Sequence, residues 1–383
     1  MPEPVGDLAT LRVHDTRAGG FVEPVLDDEV RMYVCGITPY DATHLGHAST
    51  FLAYDLLVRT LMDRGHRVRM VRNVTDVDDP LFAKARELGV HYLDLAASEE
   101  RRFDADMAAL NAIAPDAAPR ASSAISDIRR LIGAVLDAGR AYTAGGAVYF
   151  AAAESAGLGS LSGLDREAML SLAALRGGNV DDPNKRDPLD FVLWQPSSPD
   201  EPSWDSPWGP GRPGWHVECS ALVLRELGET IDIHGGGADL IYPHHECETL
   251  QSEAATGTEF ARYWMHAALV SKDGEKMSKS LGNLVFIDQL RAEWDPMVIR
   301  TGIIAHHYRS EWEWDDGLMS RSAARLDRWR GSRGGGSGPV LERVRERLAD
   351  DLDTPGALEA IDEAAANGED VTEACALIGV HLG

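Results

Sequence analysis

Val34-Cys35-Gly36-Ile37-Thr38-Pro39-Tyr40-Asp41-Ala42-Thr43-His44-Leu45-Gly46-His47 is the stretch from which the fold is read. Before it, Val30 to Val34 reads as a short buried strand. After it, Phe51, Leu52, Tyr54, Asp55, Leu56, Leu57 and Leu61 follow a helical spacing that gives the helix one apolar face. Arg67 to Val71 then predicts a second strand. Strand, polar turn, helix and strand make the βαβ crossover of a parallel sheet. His44 and His47 stand three residues apart at the start of the helix and share a face. Gly46 between them lets a ligand approach the backbone closely. A helix N-terminus with free N–H groups and two imidazoles suits phosphate. Taken alone, a His-x-x-His pair more often does no more than cap its helix.

A second motif far downstream changes that weighting. Lys276-Met277-Ser278-Lys279-Ser280 lies between Asp273-Gly274-Glu275 and Gly282-Asn283. With His44-Leu45-Gly46-His47 it resembles the two signatures of class I aminoacyl-tRNA synthetases. The resemblance implies an α/β fold with a Rossmann-like doubly wound parallel sheet. It also implies that His44, His47, Lys276 and Lys279 are catalytic, clamping ATP and its Mg2+ while a carboxylate attacks the α-phosphate. The physics agrees, because imidazoles and ammonium groups neutralise charge building on the triphosphate and departing pyrophosphate.

The 383 residues suffice for two or three domains with a sizeable core, and an apolar content of 44% is ordinary for a globular protein. No run of about 18 apolar residues marks a membrane span. Glu3 and Asp7 near the start do not fit a signal peptide. Cys35, Cys219, Cys247 and Cys375 are too scattered for a disulfide framework, so a reducing cytoplasm is the expected compartment. A net charge of -25 disfavours nucleic acid as a partner, since phosphate contacts need a basic surface.

In chain order, residues up to about 28 read as an extended lead-in, and residues 1–79 as the first half of a nucleotide-binding catalytic domain. Asn73 and Thr75 fall at the carboxyl end of the second strand, where open α/β sheets place ligand-binding groups. Asp78 and Asp79 serve equally well as caps of the next helix. Residues 80–190 read as a mostly helical insertion, with one strand at Ala147 to Phe150 and weak periodicity over 151–188. Within it, Arg176-Gly177-Gly178 is either a mobile loop over the site or a plain solvent loop. Residues 191–284 read as the second half of the catalytic domain. There Thr230 to His234 is a buried strand, Asp239 to Glu246 opens a helix, and Trp264 to Val270 leads into the lysine loop. Residues 285–330 are helical, 331–338 a flexible Gly-rich linker, and 339–383 a short acidic helical C-terminal domain.

Cys35, Cys219 and His244 each lie where a strand ends or a helix begins, and Glu248 falls one turn after His244. Two thiolates, an imidazole and a carboxylate suit tetrahedral zinc. No two of these make a Cys-x-x-Cys pair, so spacing alone favours ordinary buried cysteines.

Cys35-Gly36-x-Thr38, Gly214-Trp215-His216-Val217-Glu218-Cys219 and the run from Gly235 to Glu246 are similar to cysteinyl-tRNA synthetase. That resemblance implies one Zn2+ held by Cys35, Cys219, His244 and Glu248, binding the substrate thiolate directly and thereby selecting cysteine over serine. Cys247 rivals Glu248 as a ligand. Trp215 packs against the bound cysteine or else belongs to the core. Finer details, Cys35 to Thr43, Asn73 to Phe82 and Leu348 to Pro355, resemble the mycothiol-pathway cysteine ligases. Those join cysteine to the amine of glucosaminyl-inositol through a cysteinyl-adenylate. The resemblance implies adenylate contacts from Cys35, Gly36, Ile37, Thr38, Thr50, Asn73, Thr75, Trp215, Gly237, Ala238, Asp239 and Val270, with Val74, Ser278 and Ser280 completing the nucleotide-binding set. Asp239 fits either the cysteine ammonium or a ribose hydroxyl, and no residue stands out as base for the incoming amine. The expected partners are L-cysteine, ATP and glucosaminyl-inositol, with the protein a monomer away from membranes. The alternative is a compact cysteinyl-tRNA synthetase. Its short, acidic, non-aromatic tail suits RNA poorly, and Arg129, Arg130, Arg321, Arg325, Arg328 and Arg330 would have to line one RNA-facing surface. A non-catalytic paralogue is disfavoured because both ATP motifs and the thiol ligands are intact.

Overall fold

The computed structural model describes residues 8–40, 43–277, 282–332 and 339–383. Ser278, Lys279 and Ser280 of the lysine motif and residues 333–338 of the expected linker lie outside them.

The lead-in is a hairpin of β1 (Val13–Asp15) and β2 (Gly20–Val22). Asp15 sets it, one carboxylate oxygen accepting from the Ala18 amide at 2.6 Å and the other from the Trp264 amide at 2.7 Å. The expected crossover follows as β3 (Glu29–Ile37), α1 (Leu45–Asp63) and β4 (Arg67–Val74). β3 and β4 pair in parallel from Glu29 opposite Arg67 to Val34 opposite Arg72. Both strands outrun their apolar cores, because Asn73 at the end of β4 holds the Gly36 amide on its side-chain oxygen at 2.7 Å.

Next come α2 (Asp79–Leu88), α3 (Tyr92–Ala109), α4 (Ile125–Asp137), β5 (Ala141–Ala144), β6 (Ala147–Phe150), α5 (Arg166–Leu175), β7 (Phe191–Gln195) and β8 (Arg212–Pro213). Helix α5 lies where the periodicity is weak; Asp165 caps it by accepting from the Ala168 amide at 2.9 Å. β5 to β8 form an antiparallel sheet in sequence order. β7, at the expected start of the second catalytic half, thus pairs with β6 of the preceding region rather than joining the parallel sheet.

The remainder is α6 (Trp215–Glu226), β9 (Ile231–Gly237), α7 (Glu246–Thr256), β10 (Ala261–Ala267), β11 (Val270–Lys272), β12 (Glu275–Lys276), α8 (Ile287–Glu293), α9 (Pro296–Ile304), β13 (Trp312–Glu313), α10 (Leu318–Gly331), α11 (Val340–Ala349), α12 (Thr354–Ala366) and α13 (Thr372–Leu377). The parallel sheet has the order β10-β9-β3-β4. Its glycines make room for Tyr54 of α1: a Cβ on Gly235 would stand 2.3 Å from that ring. The Tyr54 hydroxyl lies 2.8 Å from the carbonyls of Gly236 and Met265 and accepts from the Gly236 amide at 2.6 Å. One apolar core joins α1, α9, α10 and the three C-terminal helices, while a second joins α4, α6 and α7 to the sheet. Among the described residues no helix is long and apolar enough to cross a membrane.

Candidate active site

Strand register creates the site. Val34 pairs with Gly235, and Gly236 with His266, so the carboxyl ends of β3, β9 and β10 bring Cys35, the glycines and His266 together. Cys219 arrives from the second turn of α6, and His244 and Glu248 from the tight turn 241–245 and the first turn of α7. One ligand atom from each of Cys35, Cys219, His244 and Glu248 lies within 4.8 Å of every other. The two sulfurs are 3.9 Å apart, Glu248 Oε1 is 3.5 Å from Cys35 Sγ, and His244 Nε2 is 3.1 Å from Glu248 Oε1. All four side chains are buried. Cys247, the rival ligand, is absent from both groups of convergent ligand atoms among the described residues.

The cluster is electrically uneven. A hydrogen bond from Cys35 draws the Cys219 thiol down, whereas burial pushes Cys35 up. Burial opposes ionisation of both Glu248 and His244, but the neighbours win. His234 and His244 hold Glu248 at about 2, and Glu248 with Cys219 raises His244 to about 10.

Four histidines that sequence reasoning passed over surround this group. His234 Nε2 is 3.2 Å from Glu248 Oε2, and His245 Nε2 is 3.3 Å from Cys35 Sγ. Cys35, His234, His245 and Glu248 form a second convergent set. His245 Nδ1 continues to His266 Nε2 at 2.7 Å, and His266 Nδ1 to Thr16 Oγ1 at 2.7 Å. His216 Nδ1 stands 2.9 Å from His244 Nδ1. Burial lowers His216 and His266 to about 3, so both are neutral. The available signal was His234 inside the apolar strand Ile231–Gly237, where an imidazole needs a polar partner.

The histidine motif meets the chain beyond the lysine motif through backbone. The segment following the lysine loop crosses the entry to α1, with the Ile287 amide on the Thr43 carbonyl at 3.0 Å and the Leu45 amide on the Val285 carbonyl at 2.8 Å. His44 occupies the N-cap, and its Nδ1 accepts from the His47 amide at 3.3 Å while the two rings stack 3.7 Å apart. The Lys276 ammonium reaches Asp239 Oδ2 at 2.9 Å. Arg176 donates to the carbonyls of Asp239 and Tyr242, which ties the Arg176-Gly177-Gly178 loop to the turn that carries Asp239.

The remaining predicted contacts divide by exposure. Gly36 is held against β4 so closely that a Cβ would lie 1.6 Å from the Asn73 carbonyl oxygen. Asn73, Val74 and Thr75 are buried, and the Asn73 side chain donates to Thr75 Oγ1 at 2.9 Å. Their side chains brace the sheet end. Ile37 and Val270 are buried, and Thr50 Oγ1 donates to the Gly46 carbonyl at 3.2 Å. Thr38 donates to Asp78 Oδ2 at 3.0 Å. Asp78 occupies the N-cap of α2 without capping it by its side chain. Gly237 ends β9, Ala238 and Asp239 follow half-buried, and Trp215 stacks on His244 with ring centroids 4.2 Å apart.

Comparison with known proteins places this geometry. The class I (C) tRNA-synthetase catalytic domain matches residues 21–324. The methionyl-tRNA synthetase of Mycobacterium tuberculosis, solved with methionyl-adenylate, superposes with a TM-score of 0.67 at 17% identity, covering 88% of this chain and 82% of its own, which shows the fold. An L-cysteine:1D-myo-inositol 2-amino-2-deoxy-alpha-D-glucopyranoside ligase of Thermobispora bispora is 49% identical over 97% of this chain and 94% of its own. The Parafrankia protein of the same name is 50% identical over 96% and 84%. With nearly half of its residues shared with these ligases over almost its whole length, and with the class I catalytic domain matched over 21–324, the chain belongs to the class I synthetase-related family of L-cysteine:1D-myo-inositol 2-amino-2-deoxy-alpha-D-glucopyranoside ligases.

Proposed function

We propose that the protein activates L-cysteine with ATP as cysteinyl-adenylate and transfers it to the amine of 1D-myo-inositol 2-amino-2-deoxy-alpha-D-glucopyranoside, a step of mycothiol biosynthesis. The buried, convergent group of Cys35, Cys219, His244 and Glu248 carries this reading. Its donors fit zinc: two thiols, one imidazole and one carboxylate converge, and the other nitrogen of His244 faces His216, as an oriented ligand requires. Zinc held there supplies a Lewis-acidic position that prefers a thiolate to a hydroxyl. Trp215 against His244 walls the cysteine pocket.

The α1 N-terminus with His44 and His47, together with Lys276 and Lys279, neutralises the phosphates and the departing pyrophosphate, with Mg2+ accompanying ATP. Gly36, Ile37, Thr38, Thr50, Asn73, Val74, Thr75, Gly237, Ala238, Asp239, Val270, Ser278 and Ser280 shape the adenylate site. Asp239, already bound to the Lys276 ammonium, suits the cysteine ammonium or the ribose. In the second step the acceptor nitrogen forms an amide bond to the cysteinyl carbonyl, the acyl–phosphate bond breaks, and AMP leaves. Four unpaired cysteines suit a reducing cytoplasm.

The surface argues against RNA. Arg129 donates to the Asp205 carbonyl at 2.6 Å, and Arg130 pairs with Asp127 at 3.0 Å. Arg325 and Arg328 both pair with Asp362, Arg321 with Asp315, and Arg330 with Asp295. The decisive experiment offers purified protein, ATP, magnesium and labelled cysteine either glucosaminyl-inositol or total tRNA. Sugar-dependent AMP release with an amide product is expected, and label passing to tRNA alone overturns the reading.

A further inference from the structure

A second depression opens beyond the Thr38 and Asp78 contact, between the α2–α3 corner and the loop 199–204. Its volume is about 480 Å³, the range of small-molecule sites. Tyr92 and Trp204 present half-exposed rings, with Phe82 beneath them. Asp200, Glu201, His91 and Ser203 supply polar groups along the walls. The groove is joined to the adenylate cleft through side chains. Arg212 pairs with Asp79 and with Glu201, the latter at 3.0 Å, and its guanidinium lies 5.6 Å from the Phe82 ring centroid. Asp79 follows Asp78, which accepts from Thr38 only three residues from Cys35.

We propose that this groove seats the sugar and cyclitol rings of the acceptor, with the amine directed along Asp78 and Thr38 toward the cysteinyl carbonyl. The inference rests on the ligase reading above and adds the surface that chooses the acceptor. Flat aromatic faces beside carboxylates and hydroxyls match a polyol, whose C–H faces stack while its hydroxyls hydrogen-bond. An ammonium-bearing acceptor is drawn to the carboxylates Asp79, Asp200 and Glu201 on this side of the molecule. Arg86 and Asp200 form an ion pair of 3.1 Å between the two walls, both side chains exposed, so the pair can part at small cost when a ligand enters.

The test separates the two half-reactions in the full-length enzyme. Tyr92→Ala removes a stacking face, and Ser203→Trp, at an exposed position, fills the groove. Each is expected to raise the KM for glucosaminyl-inositol about tenfold or more while cysteine-dependent ATP–pyrophosphate exchange stays within about twofold of the unaltered enzyme. An unchanged acceptor KM in both variants overturns the groove assignment. If Tyr92→Ala loses exchange through misfolding, Ser203→Trp decides alone. Failure of the ligase reading shows separately, as absence of acceptor-dependent AMP release from the unaltered enzyme.

Discussion

Glu248 divides its two oxygens between different partners, and the division favours one ligand set. Oε1 faces Cys35 and His244, while Oε2 is held by His234 at 3.2 Å. His234 therefore orients the carboxylate from behind, as outer partners of metal ligands do. Cys219→Ala is expected to lose bound zinc and cysteine-dependent pyrophosphate exchange together, checked by metal analysis and exchange on one preparation. A zinc-replete, active variant would refute the assignment. Lys276→Ala is expected to slow adenylation by about 10²-fold, the scale of a lost contact to transition-state charge. Slower product formation with unchanged exchange would move the lysine loop to the second step. At this scale the sequence was readable only through motifs. Cys35, Cys219, His244 and Glu248 are spread over more than two hundred positions, so spacing alone could not join them. His234 and His266 stayed hidden because buried histidines in apolar strands look like core until their partners are seen, and His245, in the turn before α7, because it stands next to His244.

The α1 helix was legible because its apolar residues repeat over five turns and two strands flank it. Helix α5 and the β1–β2 hairpin were not, since each is set by one aspartate acting as cap or turn acceptor rather than by a stripe. The polar contacts of α1 were equally invisible. Asp55 is almost fully buried and paired with Arg59 at 2.8 Å and with Arg300 of α9, which also donates to the carbonyls of Ile378 and Leu110, each at 2.9 Å. Burial pushes the Asp55 carboxyl up, but Arg300 and Arg59 outweigh it and hold it below its ordinary value. A carboxyl depressed in the folded state adds stability above its unfolded pKa of about 3.9, and that stability is lost as pH falls through the folded value. Resistance to urea is therefore expected to fall below about pH 4, and Asp55→Asn to flatten that dependence. Arg300→Met leaves the buried Asp55 with Arg59 and the Ile113 amide, for an expected loss of about 3 kcal/mol in the same assay. A pH profile identical in the Asp55 variant would refute the linkage.

For the whole molecule, the sequence suggests a linker and a separate acidic C-terminal domain, whereas packing joins that segment to the catalytic core. Val340, Val344, Leu348, Leu358 and Ile361 share one apolar cluster with Leu52, Leu56 and Ile303. Arg345 of α11 grips both oxygens of Asp63 at the end of α1, at 2.8 and 2.9 Å, with both side chains buried. The start of the chain is bound to the same place: the Arg12 amide donates to the Ala349 carbonyl and the Asp351 amide to the Arg12 carbonyl, both at 2.8 Å. Composition could not reveal this, because acidic helices with one apolar stripe read alike whether they pack on each other or on a neighbour. The tail thus covers the back of the helix at whose N-terminus His44 and His47 lie. Ending the chain after Ser332 should expose that stripe of α1 and α9, giving a protein that binds hydrophobic dyes, aggregates and lacks pyrophosphate exchange. Arg345→Ala, which takes the guanidinium from the buried Asp63 and from the more exposed Glu342, should lower the melting temperature while keeping exchange measurable at low temperature. A truncated chain that folds cooperatively and still activates cysteine would show the tail to be a dispensable domain after all, and the acceptor question would then return to what such a domain binds.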